Sequence, residues 1–217
     1  TAFVRKLSEL LDEIESDDEQ GALITSSTNP KFFSNGLDLD WIQDPENHPE
    51  GGSRDEFGKD FMHLMGRFIT LSIPTVCAIN GHAFGAGFMF ALTHDVRVMR
   101  EDRGFLCANE MQLGLPIPRP ELALFKHKIP ADAFFETVQL SKRWTGRDAL
   151  HAGIVQELSS FDDMTAVVQR KAEELAPLAN NRKNYGHQKE MLFGERAAIN
   201  QIDGPAHMLK HSEDFNA

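Results

Sequence analysis

Only two cysteines, Cys77 and Cys107, occur in the 217 residues, too few to hold a small fold together by disulfides. Both sit in apolar surroundings and read as reduced, buried thiols, which points to a reducing compartment. No run of about 18 apolar residues is present, which excludes a membrane-spanning helix. Positive charge is scarce as well: 22 Lys and Arg stand against 33 Asp and Glu, a formal net charge of −11. That balance argues against non-specific nucleic acid binding and against an anionic membrane surface, and any anionic ligand needs a local basic patch. The last residues, Asp214-Phe215-Asn216-Ala217, carry no Ser-Lys-Leu type peroxisomal address, so the expected location is cytoplasmic. The chain opens at Thr1 inside a helical pattern, so a missing N-terminal segment is expected, and with it a peroxisomal or mitochondrial alternative.

Several catalytic signatures are missing too. Gly81-x-x-x-Gly85-x-Gly87 does not fit the G-x-G-x-x-G of dinucleotide sites. Gly58-Lys59 is followed by Asp60 and has Ser53 at the first required glycine, so it is no phosphate-binding P-loop. No G-x-S-x-G elbow exists, which removes the usual turn of a serine hydrolase. His207 and His211 are four apart, but no further ligand accompanies them, and they read as a solvent-facing pair; no metal site is expected. Without repeats, low-complexity tracts or a second-domain linker, and with 41% hydrophobic and 25% charged residues, the chain reads as one soluble globular domain with a helical appendage.

What is present is an alternation of helix and strand patterns. Phe3, Leu7, Leu10, Leu11 and Ile14 mark one helical face, and Ala22-Leu23-Ile24-Thr25-Ser26 a short strand. Residues 44–53 are rich in Pro, Gly, Asn and Glu and read as a mobile surface loop. Phe57, Phe61, Leu64, Met65, Phe68 and Ile69 form a second helical face. Pro74 then opens Thr75-Val76-Cys77-Ala78-Ile79-Asn80, a continuous apolar run as expected of a parallel strand covered on both sides. Asp95-Val96-Arg97-Val98-Met99 and Ile154-Val155 are further strand candidates, and beyond Pro120 the pattern is mainly helical. Strands and helices at this spacing imply crossover units and an α/β fold.

Two glycine turns stand out. Asn80-Gly81-His82-Ala83-Phe84-Gly85-Ala86-Gly87-Phe88-Met89 carries a strand through glycines into a helix, whose unpaired N–H groups can stabilise negative charge. Taken alone, Gly85 and Gly87 are equally explained by close packing of that helix. Earlier, Lys31-Phe32-Phe33-Ser34-Asn35-Gly36-Leu37-Asp38 contains an Asn-Gly turn that leaves the Leu37 amide free to point into a cleft. About twenty residues past the second turn comes Ala108-Asn109-Glu110-Met111-Gln112-Leu113-Gly114.

Together the two turns resemble the crotonase superfamily of enoyl-CoA hydratases and isomerases, over about residues 1–160. The resemblance implies a crotonase (ClpP-like) fold of repeated ββα units, with a core over 1–160 whose first strands are absent here, and a helical trimerisation region over 161–217. It implies that the amides of Leu37 and Ala86 form an oxyanion hole for an acyl-CoA thioester, with Asn35, Gly36, Gly85 and Gly87 shaping the two turns. Hydratases of this superfamily use two glutamates. The first falls here on Met89, whose thioether cannot hold or deprotonate water. The second falls on Glu110, and the N-E-x-Q-L-G string around it is similar to the Δ3,Δ2-enoyl-CoA isomerases. As an isolated residue Glu110 would read as a surface or capping carboxylate; in this setting it reads as a single base that shuttles a proton from C2 to C4.

Apolar neighbours Phe88, Met89, Met111 and Leu113 are expected to raise the Glu110 pKa, and Phe84, Phe88, Phe90, Met62 and Met65 to belong to the acyl pocket or the core. Lys31 is the candidate for the CoA phosphates, with Lys126, Lys128 and Lys210 as lesser ones, and Asp38 reads as structural. The expected activity is the shift of a 3-enoyl-CoA double bond to the 2-trans position, in fatty acid β-oxidation, by a homotrimer or dimer of trimers. No cofactor is implied beyond the coenzyme A of the substrate. Hydration, dehalogenation or thioester hydrolysis on the same fold is one alternative, and a non-catalytic acyl-CoA-binding subunit another.

Overall fold

The computed structural model describes residues 2–47, 53–195 and 203–215. Helix α1 (Ala2–Ser16) leads to strands β1 (Leu23–Thr25) and β2 (Phe32–Ser34), then to helices α2 (Leu39–Gln43) and α3 (Ser53–Thr70). Strands β3 (Thr75–Ile79) and β4 (His82–Phe84) precede α4 (Ala86–Leu92), and β5 (Val96–Arg100) and β6 (Leu106–Cys107) precede a 3₁₀ turn at Glu110–Leu113 and α5 (Arg119–Lys128). Helices α6 (Ala131–Val138) and α7 (Gly146–His151), strand β7 (Glu157–Ser159), and helices α8 (Met164–Leu175), α9 (Arg182–Phe193) and α10 (Pro205–Lys210) complete the order.

The strands sort into two parallel sheets, β1-β3-β5-β7 and β2-β4-β6. Each of three successive strand pairs sends its first member to one sheet and its second to the other, so the expected ββα repetition is realised. In β3 all five residues are buried, which explains its unbroken apolar sequence. All six apolar residues expected on one face of α3 are buried, Met65 and Ile69 completely. Helix α10 and α1 both lie against α3, so the C-terminal segment packs back onto the core.

Two expectations shift. In α1 the buried stripe runs through Val4 and Leu11 with Leu7 and Ile14 beside it, whereas Phe3 is 73% and Leu10 40% exposed. A helix packed along one neighbour buries only a narrow 3-4-3 stripe, and Phe3 and Leu10 flank it. The last strand is at Glu157–Ser159, not at Ile154-Val155, which are buried in the loop before it. There the backbone is held by Arg97, whose Nε donates to the Ile154 carbonyl (2.7 Å). Of the 44–53 stretch, Pro45–Asn47 form a 3₁₀ turn, and residues 48–52 lie outside the described residues.

His94, fully buried after α4, donates from Nδ1 to the Phe90 carbonyl (3.0 Å) and accepts at Nε2 from the Thr25 hydroxyl (2.7 Å). Burial pulls its pKa down to about 3, against an unfolded value near 6.5. The stabilisation by the neutral ring is complete above pH 6.5 and is lost as pH falls towards 3. At pH 4.5 that loss is on the order of 3 kcal/mol. Urea denaturation at pH 7 and pH 4.5 should show it, and His94→Asn should remove this component of the pH dependence.

Candidate active site

Three loops that leave the C-terminal ends of β2, β4 and β6 converge, and each is shaped by its own sequence. After β2, Ser34 Oγ accepts from the Gly36 amide (3.3 Å), Gly36 takes a positive φ of 88°, and Asp38 caps α2 by accepting from the Trp41 amide (3.0 Å). After β4, the Gly85 amide donates to the Cys107 carbonyl (2.9 Å) and the chain turns at φ 50° directly into α4. After β6, Glu110 opens the 3₁₀ turn that Gly114 ends in the left-handed region.

The first two loops touch. A Cβ placed on Gly36 would lie 2.8 Å from the Phe84 carbonyl oxygen and 3.4 Å from the Ala86 nitrogen, and one on Gly87 only 2.4 Å from the Ser34 carbonyl oxygen. Neither the Leu37 nor the Ala86 amide donates to another protein group among the described residues. The third loop abuts the second: a Cβ on Gly85 would lie 3.2 Å from Glu110 Oε1 and 3.4 Å from Asn109 Oδ1. Glu110 Oε2 is buried with no hydrogen-bond partner among the described residues, and burial raises the carboxyl above its usual range, partly offset by its own backbone amide. All three loops line a cavity of about 880 Å³, and an apolar hollow of about 370 Å³, walled by Trp41, Phe57 and Phe61, lies across the Leu37–Ala86 seam.

A family model for enoyl-CoA hydratase/isomerase matches residues 1–212. The chain belongs to the enoyl-CoA hydratase/isomerase family. Within it, peroxisomal enoyl-CoA delta isomerase 2 of Arabidopsis thaliana is 33% identical over 195 residues, covering 88% of this chain and 81% of the relative. Enoyl-CoA delta isomerase 3 of the same plant is 34% identical over 190 residues, covering 86% and 79%. The solved human mitochondrial Δ3-Δ2-enoyl-CoA isomerase superposes with a TM-score of 0.73 at 26% identity, covering 87% of this chain and 72% of that one.

Of the residues expected in this family member's site, Leu37, Ala86, Glu110, Asn35, Gly36, Gly85, Met89 and Leu113 line the cavity. Gly87 lies in the seam between the loops. Phe88 points into the core, its ring edge-on to Phe125 at 5.5 Å. Lys31 stands outside the lining with its Nζ over the Phe32 ring at 5.0 Å. His207 and His211 place their rings 4.6 Å apart, and no cluster of three or more metal-ligating side chains exists among the described residues. No helix among them is long and apolar enough to cross a membrane.

Several cavity residues escaped the sequence reading, Arg143 and Glu121 among them. Arg143 reaches it from the strand-like segment before α7, its guanidinium 5.9 Å from the Phe84 ring. Glu121 comes from the first turn of α5, a position where an acidic residue is ordinarily explained by the helix dipole. The side chain is buried instead, at 6% exposure, and nothing in its local sequence signals that. Burial and the neighbouring Glu110 push its pKa up to about 8, so it is protonated at neutral pH. A raised carboxyl pKa leaves stability intact below the unfolded value near 4.5 and erodes it as pH rises towards 8. At pH 7 the erosion is on the order of 3 kcal/mol. Glu121→Gln should therefore melt higher than wild type at pH 7.5, with the difference shrinking at pH 5.

Proposed function

We propose that the protein is an enoyl-CoA isomerase that moves the double bond of a 3-enoyl-CoA to the 2-trans position. The observation that carries this reading is the meeting of two unpaired amides, Leu37 and Ala86, with one face of the Glu110 carboxylate across the Gly85 turn. The likeness to delta isomerases over most of the chain supports it further. In the proposed reaction the two amides receive the thioester oxygen, where negative charge develops as C2 loses its proton. Donors set in advance towards such a charge lower the barrier by roughly 3–4 kcal/mol each. Glu110 removes the C2 proton, and in a one-carboxylate cycle the same group then presents it to C4. No electrons are gained or lost overall, so the transfer requires no cofactor beyond the coenzyme A of the substrate. Met62, Met89, Leu113 and Leu115 offer the apolar wall along which the acyl chain would run.

Incubation with 3-hexenoyl-CoA should yield the conjugated 2-enoyl product, followed by its ultraviolet absorbance. Met89 stands where a hydratase would place a carboxylate. Addition of water to a 2-enoyl-CoA should accordingly be slower than isomerisation by roughly 10²-fold or more, the usual contribution of an acid–base group. Rapid formation of a 3-hydroxyacyl product would replace isomerisation by hydration as the activity. The working unit in this reading is a homotrimer or dimer of trimers of the 24.3 kDa chain, which light scattering on the eluting protein would measure.

A further inference from the structure

Glu110 and Glu121 face one cavity from separate elements, the turn after β6 and the first turn of α5. The other charged side chains on its walls are Asp38, Asp40 and Arg143. Asp38 is occupied as the α2 cap. The Glu121 carboxyl has neither a hydrogen bond nor an ion pair to the protein among the described residues. A buried carboxyl without a partner weakens the fold, and no contact made by α5 accounts for its being there. Met62, Met89, Leu115, Pro116 and Pro118 line the same cavity, and apolar walls of this kind favour the protonated form of a carboxyl.

We propose that Glu121 is a second catalytic acid of this reaction, and that the proton arriving at C4 comes from Glu121 while Glu110 removes the one at C2. This rests on the reading of Glu110 as the C2 base and replaces only the second half of the one-carboxylate cycle. The steps balance. The C2–H bond breaks and a Glu110 O–H bond forms, while the electron pair moves onto the thioester oxygen to give a dienolate. That charge then returns through the conjugated system, a C4–H bond forms, and the Glu121 O–H bond breaks. Glu110 is left as the acid and Glu121 as the carboxylate, and one proton passed from Glu110 to Glu121 within the shared cavity restores the starting state. Burial and the charge on Glu110 hold Glu121 in the protonated form that the C4 step requires.

The division of labour separates two measurable events, exchange at C2 and product formation. The purified full chain, as wild type, Glu121→Gln and Glu110→Gln, is incubated with 3-hexenoyl-CoA in D₂O. Deuterium entry at C2 of recovered substrate and formation of the 2-enoyl product are both followed. Glu121→Gln should lower product formation by about 10²-fold or more, as expected for loss of a general acid, while keeping C2 exchange within about tenfold of wild type. That surviving exchange also reports that the variant is folded and binds substrate. Glu110→Gln should lose both. Product formation by Glu121→Gln within about threefold of wild type would overturn the role of Glu121, as would a parallel loss of exchange and product, which is what a purely structural residue would give. If wild type forms no 2-enoyl product at all, the isomerase reading itself fails and this one with it. If only Glu121→Gln behaves as wild type, the isomerase reading stands alone.

Discussion

Glu110→Gln is expected to lower isomerisation by about 10²–10⁴-fold while leaving affinity for acyl-CoA within a few-fold of wild type. The amide is nearly isosteric with the carboxylate, so the 3₁₀ turn at Glu110–Leu113 and its contact with the Gly85 turn have no steric reason to move. What disappears is the basic oxygen. Glu110 is ready for that role because burial has already raised its proton affinity and because Oε2 has no donor among the described residues to satisfy it. A base relieved of hydrogen bonds is a stronger one, and its ideal strength lies nearer the working pH. Steady-state rates with 3-hexenoyl-CoA, together with calorimetric binding of a saturated acyl-CoA, give both numbers. Full activity in this variant would eliminate the proposed chemistry.

Gly36→Ala is expected to reduce kcat by about 10²–10³-fold, the loss associated with one displaced oxyanion donor. Two effects act together. At φ 88° an L-residue is strained by about 1–3 kcal/mol, and the new methyl would meet the Phe84 carbonyl at 2.8 Å. Neither the carbonyl nor Gly36 can yield without moving Leu37 away from Ala86. Those two amides must point at the same oxygen, so a shift of a few tenths of an ångström spoils the pair more than it spoils the fold. Circular dichroism should remain that of wild type, and kcat should fall more than KM rises, since the interaction lost is one that grows in the transition state. A variant that keeps its kcat would place the thioester oxygen elsewhere.

These expectations hinge on features that were unequally legible in the chain. The β3 strand could be read because five consecutive buried positions leave an unbroken apolar run, and the α3 face because helical periodicity is long enough to average out exceptions. The two glycine turns and the Glu110 string could be read because their chemistry is local. Strands of three residues, such as β2 and β7, carry too little pattern to fix their ends, which explains the displacement from Ile154-Val155 to Glu157–Ser159. Lys31 and Phe88 stand next to the turns in sequence, yet one residue along a strand or helix reverses or rotates the side chain away. Glu121 and Arg143 were invisible for the opposite reason. They enter the cavity only because α5 packs against α4 and the segment before α7 bridges to β6 through Trp144 and Leu106, and no local pattern encodes such a meeting.

The distribution of the site over successive strand pairs has a kinetic consequence. Leu37, Ala86 and Glu110 follow the second strand of the first, second and third pairs, and these strands lie side by side in β2-β4-β6. Parallel neighbours cannot pair until the chain between them has crossed over, so the site comes into being only when the last of the three is docked. During refolding, catalytic activity should thus return with the slowest structural phase and never before it. By the same logic, a chain interrupted between β4 and β6 retains pieces of the apparatus but no partial activity.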